Sequence, residues 1–144
     1  MQSVGFIGLG AMGAPMAQRI ADSGFDLSVF DVRPENAEPL VDAGARRTNS
    51  PREAAEGVDA LVLMVVNADQ AEDALFGDEG AAETLSQGSA VVIMSTVGPE
   101  AVRGFEERLA ESGVRLLDAP VSGGVARAER GDLLIMAGAP ADLF

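Results

Sequence analysis

The stretch VGFIGLGAMG, residues 4–13, constrains the fold of this chain more than any other part of its sequence. Gly8, Gly10 and Gly13 are spaced G-x-G-x-x-G between a short apolar run and an amphipathic helical pattern. In such a strand–loop–helix unit the first glycine permits a tight turn, the second lets a ligand approach the backbone, and the third lets helix and strand pack closely. The free N–H groups at the helix start suit a pyrophosphate. The stretch predicts a dinucleotide-binding loop, and a glycine turn that binds nothing is the less favoured alternative.

A second apolar run, LSVFD, ends in Asp31, which follows Gly13 by 18 residues. A carboxylate at the end of the second strand can accept hydrogen bonds from both hydroxyls of a ribose. It would repel a 2′-phosphate, so the sequence predicts NAD as the cofactor and NADP as the less favoured one. Arg33 works against this preference, because a guanidinium two residues further on offsets part of the repulsion.

Short apolar runs alternate with alanine-rich and charge-rich segments along the whole chain. The runs are VGFIG, LSVF, ALVLMVV, AVVIM, VRLL and LLIMAG. The third run, residues 60–66, is apolar at every position, which is typical of a strand covered by helices on both faces of a parallel sheet. We therefore predict a doubly wound α/β domain with a mostly parallel sheet.

Two local signals refine the helices between these runs. Ser50 and Glu53 form a capping box with Pro51 at the first helical position, which predicts a helix start ahead of the third run. Pro39 lies inside the helix expected after Arg33, so that helix should be short or broken.

Composition narrows the class of protein. The chain has 23 acidic and 10 basic residues and a formal charge of -13, so we expect neither nucleic acid nor membrane as a partner. It contains no cysteine and no histidine, which argues against a metal site. No stretch approaches the roughly 20 apolar residues of a membrane span, and the N-terminus lacks an export signal. We expect one cytoplasmic domain.

The stretch GFIGLGAMGAPMAQRI resembles the N-terminal signature of the β-hydroxyacid dehydrogenases, the family of 3-hydroxyisobutyrate dehydrogenase, tartronate semialdehyde reductase and 6-phosphogluconate dehydrogenase. A second stretch, DAPVSGGVARAERGDLLIMAGA, resembles the segment with which that family binds its substrate. The run VVNADQAEDALFG is similar to the L-threonate dehydrogenase branch. The resemblance implies a Rossmann NAD(P)-binding domain over residues 1–144, followed in the family by a helical domain that this chain does not include.

The resemblance also implies the site residues. Ser122, Gly123 and Gly124 would hold the carboxylate of a small hydroxy acid, and bare backbone N–H groups beside a hydroxyl suit an anion. A glycine-rich turn is the alternative. The predicted cofactor contacts lie in the glycine loop and after the following strands: Gly8, Leu9, Gly10, Ala11, Met12, Gly13, Asp31, Val32, Arg33, Met64, Val65, Val66 and Thr96. For Met64, Val65 and Val66 a place in the buried core is an equally good interpretation, and Asn67 has no assigned role.

The reaction that the resemblance implies is oxidation of a β-hydroxy acid, in which a base removes the hydroxyl proton while a hydride passes to the nicotinamide ring. In the family that base resembles a lysine on a helix beyond the Rossmann domain. All ten basic residues of this chain are arginines, and it has neither histidine nor tyrosine, so we expect no catalytic residue within it. We expect the cofactor half of a longer, homo-oligomeric enzyme. The alternatives are a non-catalytic dinucleotide-binding module and an imine reductase; the Ser-Gly-Gly segment favours hydroxy acids.

Overall fold

A single parallel sheet organises the computed structural model, which describes residues 1–143. Its strands are β1 (Ser3–Ile7), β2 (Asp26–Phe30), β3 (Arg46–Arg47), β4 (Ala60–Leu63), β5 (Ala90–Ile93) and β6 (Arg115–Asp118). They lie in the order β3-β2-β1-β4-β5-β6, and every neighbouring pair is parallel. This is the doubly wound Rossmann order, so the predicted fold class is confirmed.

Helices connect the strands on both faces of the sheet. They are α1 (Gly13–Asp22), α2 (Glu38–Asp42), α3 (Pro51–Ala54), α4 (Ala68–Phe76), α5 (Pro99–Ala110) and α6 (Gly124–Arg130), with short 3-10 helices at Pro34–Ala37, Ala81–Glu83 and Ala141–Leu143. A separate antiparallel pair, β7 (Val121–Ser122) and β8 (Leu134–Ile135), lies outside the main sheet. None of the helices in the described part of the chain has the length and apolar character that a membrane crossing requires.

The core has two layers, one on each face of the sheet, and β4 contributes to both. All four residues of β4 are buried. Leu61 and Leu63 pack in the layer that also holds buried side chains of α4 and α5, whereas Val62 packs with those of α1 and α2. Alternate residues of a strand point to opposite faces, so an uninterrupted apolar run is what a strand between two helical layers needs.

Both helix signals mark the elements as predicted, but the capping box at Ser50 is incomplete, because the Glu53 carboxylate bonds to the residue before the cap and not to the N–H of Ser50. The hydroxyl of Ser50 accepts a hydrogen bond from the N–H of Glu53 at 3.1 Å, and the carboxylate of Glu53 accepts one from the N–H of Asn49 at 2.9 Å. The helix around Pro39 is broken as predicted, because a 3-10 helix ends at Ala37 and α2 continues for only five residues. Proline is tolerated there because it lies in the first turn of α2.

Candidate functional site

The candidate site is a cleft where the carboxyl ends of β1, β2 and β4 meet. All three strands are parallel and β1 lies between the other two, so the chain leaves this edge in opposite directions on either side of β1. Such a topological switch point leaves a crevice at the sheet edge. The cleft has a volume of about 380 Å³. The predicted site residues that line it are Gly8, Gly10, Asp31, Val32, Arg33, Met64, Val65 and Val66.

The three glycines of the loop differ in what an added side chain would contact. Gly8 has a φ of 98°, and a Cβ there would collide with the carbonyl oxygen of Met64. A Cβ on Gly13 would collide with the carbonyl oxygen of Gly8, so the start of α1 packs directly against the loop. Around Gly10, no atom of residues 1–143 outside its chain neighbours lies within 4 Å of the position that a Cβ would take. The fold therefore requires Gly8 and Gly13, whereas Gly10 leaves open space beside the backbone.

The loop presents unpaired backbone donors beside that open space. Within residues 1–143, the N–H groups of Gly10, Ala11 and Met12 donate no hydrogen bond to another protein group. They precede α1, a helix of ten residues that begins at Gly13 without a side-chain cap. The first N–H groups of a helix carry its positive partial charge, so this arrangement suits an anion such as a pyrophosphate.

Asp31 leaves β2 at the cleft and is held by three hydrogen bonds. Its Oδ2 accepts from the N–H of Leu9 at 2.6 Å, and its Oδ1 accepts from the N–H of Arg33 at 2.8 Å and from Nδ2 of Asn36 at 3.2 Å. An ionised carboxylate has about four acceptor positions, so one remains for a ribose hydroxyl, fewer than the two that the sequence interpretation expected. Asn36 also lines the cleft. The sequence interpretation missed it, since only its place in the 3-10 turn opened by Pro34 brings it to Asp31.

The segment after β4 is held in place by a buried serine. Met64 and Val65 are half-buried, whereas Val66 is 80% exposed, so the core interpretation of this segment fails for Val66. The hydroxyl of Ser95, which is 2% exposed, accepts a hydrogen bond from the N–H of Val65 at 2.8 Å. Ser95 follows β5, so this bond ties the carboxyl ends of two neighbouring strands together. Thr96 is the next residue and is exposed, outside the lining of the cleft.

Asn67, to which the sequence assigned no role, caps α4. Its side-chain oxygen accepts a hydrogen bond from the N–H of Gln70 at 2.9 Å, and the side-chain oxygen of Gln70 accepts one from the N–H of Val66 at 2.9 Å. One donor in the first turn of α4 and the N–H of the residue before the cap are therefore satisfied reciprocally, whereas a capping box would use the N–H of the cap residue itself. Gln70 also lines the cleft, which places the start of α4 at its wall.

The Ser-Gly-Gly segment lies beyond β6, at the same edge of the sheet but outside the lining of the cleft. Ser122, Gly123 and Gly124 are all exposed, and the two glycines have φ values of 138° and 73°. Residues with a Cβ rarely adopt such positive φ values, so the backbone here requires glycine. Asp118 ends β6 just before this segment, and burial raises the pKa of its carboxyl group above the ordinary value.

Known proteins are similar to this chain in both sequence and fold. The family described as the NAD binding domain of 6-phosphogluconate dehydrogenase matches residues 3–144. L-threonate dehydrogenase of Cupriavidus necator is 42% identical over 143 residues, which are 99% of this chain and 48% of that protein. NAD-dependent L-serine dehydrogenase of Pseudomonas aeruginosa is 38% identical over 142 residues, again 99% of this chain and 48% of that protein.

Among solved structures, 3-hydroxyisobutyrate dehydrogenase from Salmonella typhimurium superposes with a TM-score of 0.89 at 37% identity, over 95% of this chain and 48% of that one. This chain thus spans about half the length of the relatives it matches. The glycine loop, the strand order and the family match agree. The chain belongs to the family of the NAD binding domain of 6-phosphogluconate dehydrogenase.

Proposed function

We propose that this chain is the NAD-binding half of an oxidoreductase that transfers a hydride between NAD and the hydroxyl carbon of a small β-hydroxy acid. The observation that carries the proposal is the cleft at the switch point, where the unpaired N–H groups of the glycine loop and the Asp31 carboxylate lie together. The names of the relatives, an L-threonate dehydrogenase and an NAD-dependent L-serine dehydrogenase, support the class of cofactor and of substrate.

The residues of the cleft fit the parts of a dinucleotide. The N–H groups of Gly10, Ala11 and Met12 suit the pyrophosphate, and the open space at Gly10 lets it approach the backbone. The remaining acceptor position of Asp31 suits an adenosine ribose hydroxyl. Val32, which is 84% exposed, offers apolar surface for the adenine ring on one wall of the cleft.

The nicotinamide half would extend from the segment after β4 towards Thr96, because β5 is the next strand along the same sheet edge. Bound NAD supplies the ring that accepts the hydride from the hydroxyl-bearing carbon. Ser122, Gly123 and Gly124 would hold the substrate carboxylate with a hydroxyl and bare backbone N–H groups.

The proton of the substrate hydroxyl needs an acceptor, which in the family that the sequence resembles is a lysine. The chain has no lysine, histidine or tyrosine, and we propose that the base lies in a further, helical domain of the native protein.

Homo-oligomeric assembly is part of the same proposal. It is supported by exposed apolar side chains on and after β8, namely Leu134, Ile135 and Met136, and sedimentation of the native protein as a monomer would contradict it.

Nucleotide titration tests the cofactor assignment. We expect NAD to bind more tightly than NADP, because the Asp31 carboxylate repels a 2′-phosphate. Arg33 lines the same cleft, so Arg33→Ala should weaken NADP binding more than NAD binding. Calorimetric titration of both nucleotides into both proteins measures these differences. NADP binding that equals or exceeds NAD binding in the unsubstituted protein would contradict the assignment.

Ser122→Ala tests the substrate segment in the native protein. The Ser122 hydroxyl is exposed and makes no hydrogen bond within residues 1–143, so its loss should leave the melting temperature and the NAD affinity unchanged. One lost hydrogen bond to a charged carboxylate should lower kcat/KM for the hydroxy acid by about tenfold to a hundredfold. The assay uses L-threonate, L-serine and 3-hydroxyisobutyrate. An unchanged kcat/KM, or turnover of cyclic imines without turnover of any hydroxy acid, would contradict the proposal.

A further inference from the structure

Asp31 is bonded to the glycine loop itself. Its Oδ2 accepts the N–H of Leu9 at 2.6 Å, and Leu9 lies between Gly8 and Gly10. The Leu9 side chain is 2% exposed and packs in the core layer that contains α1. Leu9 is therefore held at two points: its side chain packs in the core, and its N–H is bonded to the carboxylate of Asp31. Because Leu9 is held in this way, it helps to orient the N–H groups of the residues that follow it, beginning with Gly10.

The orientation of the Asp31 carboxylate depends in turn on Asn36. Both the N–H of Arg33 and Nδ2 of Asn36 donate to Oδ1, which leaves Oδ2 for Leu9. Asn36 is held by its 3-10 helix, because the next residue, Ala37, is 1% exposed in the core. Hydrogen bonds to an ionised acceptor are stronger than neutral ones, so a carboxylate with fixed donors is a firm anchor for a loop.

We propose that Asp31 has a second role besides ribose recognition: its carboxylate holds the glycine loop in the shape that binds phosphate, and Asn36 is its positioning residue. This inference rests on the proposed NAD-binding function. It makes ribose and pyrophosphate recognition a coupled unit, because the same carboxylate serves both. It also lets an acidic side chain lie near an anionic ligand, since two backbone N–H groups and one amide N–H face its negative charge.

The experiment compares ADP with 2′,3′-dideoxy-ADP, which keeps the pyrophosphate and lacks both ribose hydroxyls. Binding of each to the native protein is measured by calorimetry for the unsubstituted protein, Asp31→Ala, Asn36→Ala and Asn49→Ala. Asn49 is the matched control, because it undergoes the same truncation, is exposed and donates to Glu53 instead of Asp31. A role through ribose alone predicts that neither Asp31→Ala nor Asn36→Ala changes the affinity for the dideoxy compound.

We expect Asp31→Ala to weaken the dideoxy compound by about tenfold or more, since it removes a charge-assisted anchor. Asn36→Ala, which changes no charge, should weaken both nucleotides by about threefold to tenfold. Hydrogen exchange of the Leu9 amide should accelerate in both variants and stay unchanged in Asn49→Ala. Should Asp31→Ala not fold, Asn36→Ala gives the same comparison.

The two proposals fail in different ways. An unsubstituted protein that binds neither NAD nor ADP would overturn the proposed function. An unsubstituted protein that binds both would leave that function standing. If Asn36→Ala then keeps the dideoxy affinity and the Leu9 exchange rate of the unsubstituted protein, the second role of Asp31 is overturned. A dideoxy affinity that is unchanged or tighter in folded Asp31→Ala overturns it as well.

Discussion

Asp59 fastens the start of β1 at the edge of the sheet opposite the cleft. Its Oδ2 accepts hydrogen bonds from the N–H groups of Gln2 at 2.8 Å and Ser3 at 3.1 Å, and from the Ser3 hydroxyl at 3.0 Å. The backbone bonds from Gln2 and Ser3, followed by the Ser3 hydroxyl, lower the pKa of Asp59 from 3.8 to about 2. These bonds favour the charged form, so the carboxylate stabilises the fold while it is ionised.

The pH dependence of stability tests this role of Asp59. Because the folded pKa lies below the unfolded one, the stabilisation is complete well above the unfolded pKa and is lost as the pH falls towards about 2. Asp59→Ala should therefore lower the melting temperature at pH 7, and the difference from the unsubstituted protein should shrink in acid. Asp42→Ala, on the exposed face of α2, is the control. A difference that stays constant down to pH 2 would contradict the account.

Apolar runs in the sequence predicted the five longer strands of the main sheet and β8, and they missed β3 and β7. The apolar run of β4 identified a central strand, although its last three residues leave the sheet at the cleft. β3 consists of two exposed arginines and is held by pairing with β2 and by a 3.2 Å hydrogen bond from Nε of Arg46 to the Ser28 hydroxyl. Such an edge strand buries no side chain, so hydrophobic patterning cannot indicate it. The run LLIMAG predicted a longer strand than Leu134–Ile135, which pairs only with β7.

Ser50 caps α3 and should contribute to the stability of the fold. Ser50 is buried and its hydroxyl satisfies the N–H of Glu53, so Ser50→Ala leaves a donor of a four-residue helix unpaired. Loss of an N-cap of this kind costs about 1 kcal/mol of the free energy of unfolding. Chemical denaturation of Ser50→Ala measures the loss, with Ser112→Ala as the control because that hydroxyl is exposed and unbonded within residues 1–143. Equal stability of the two variants would show that the cap contributes nothing.

For the whole molecule, the sequence indicated which residues line the candidate cleft, because most of them belong to local motifs at strand ends. A parallel sheet brings those ends to one edge, so Gly10, Asp31 and Val65 meet without any further signal. The supporting residues could not be predicted in that way. Asn36 and Ser95 act through hydrogen bonds to other segments of the chain. The lengths of these bonds depend on the conformations of the loops that follow the strands, which local sequence patterns do not specify.

We expect the open space at Gly10 to serve the binding of a dinucleotide and not the stability of the fold. NAD titration of Gly10→Val against Gly104→Val tests it most directly, because both glycines lack neighbours within 4 Å of a Cβ and neither has a positive φ. Gly104 lies on the exposed side of α5, far along the chain from the loop. We predict that both variants fold, that Gly104→Val binds NAD normally, and that Gly10→Val loses affinity on the order of a hundredfold, or about 2.8 kcal/mol. A folded Gly10→Val protein that binds NAD as tightly as Gly104→Val would contradict the account.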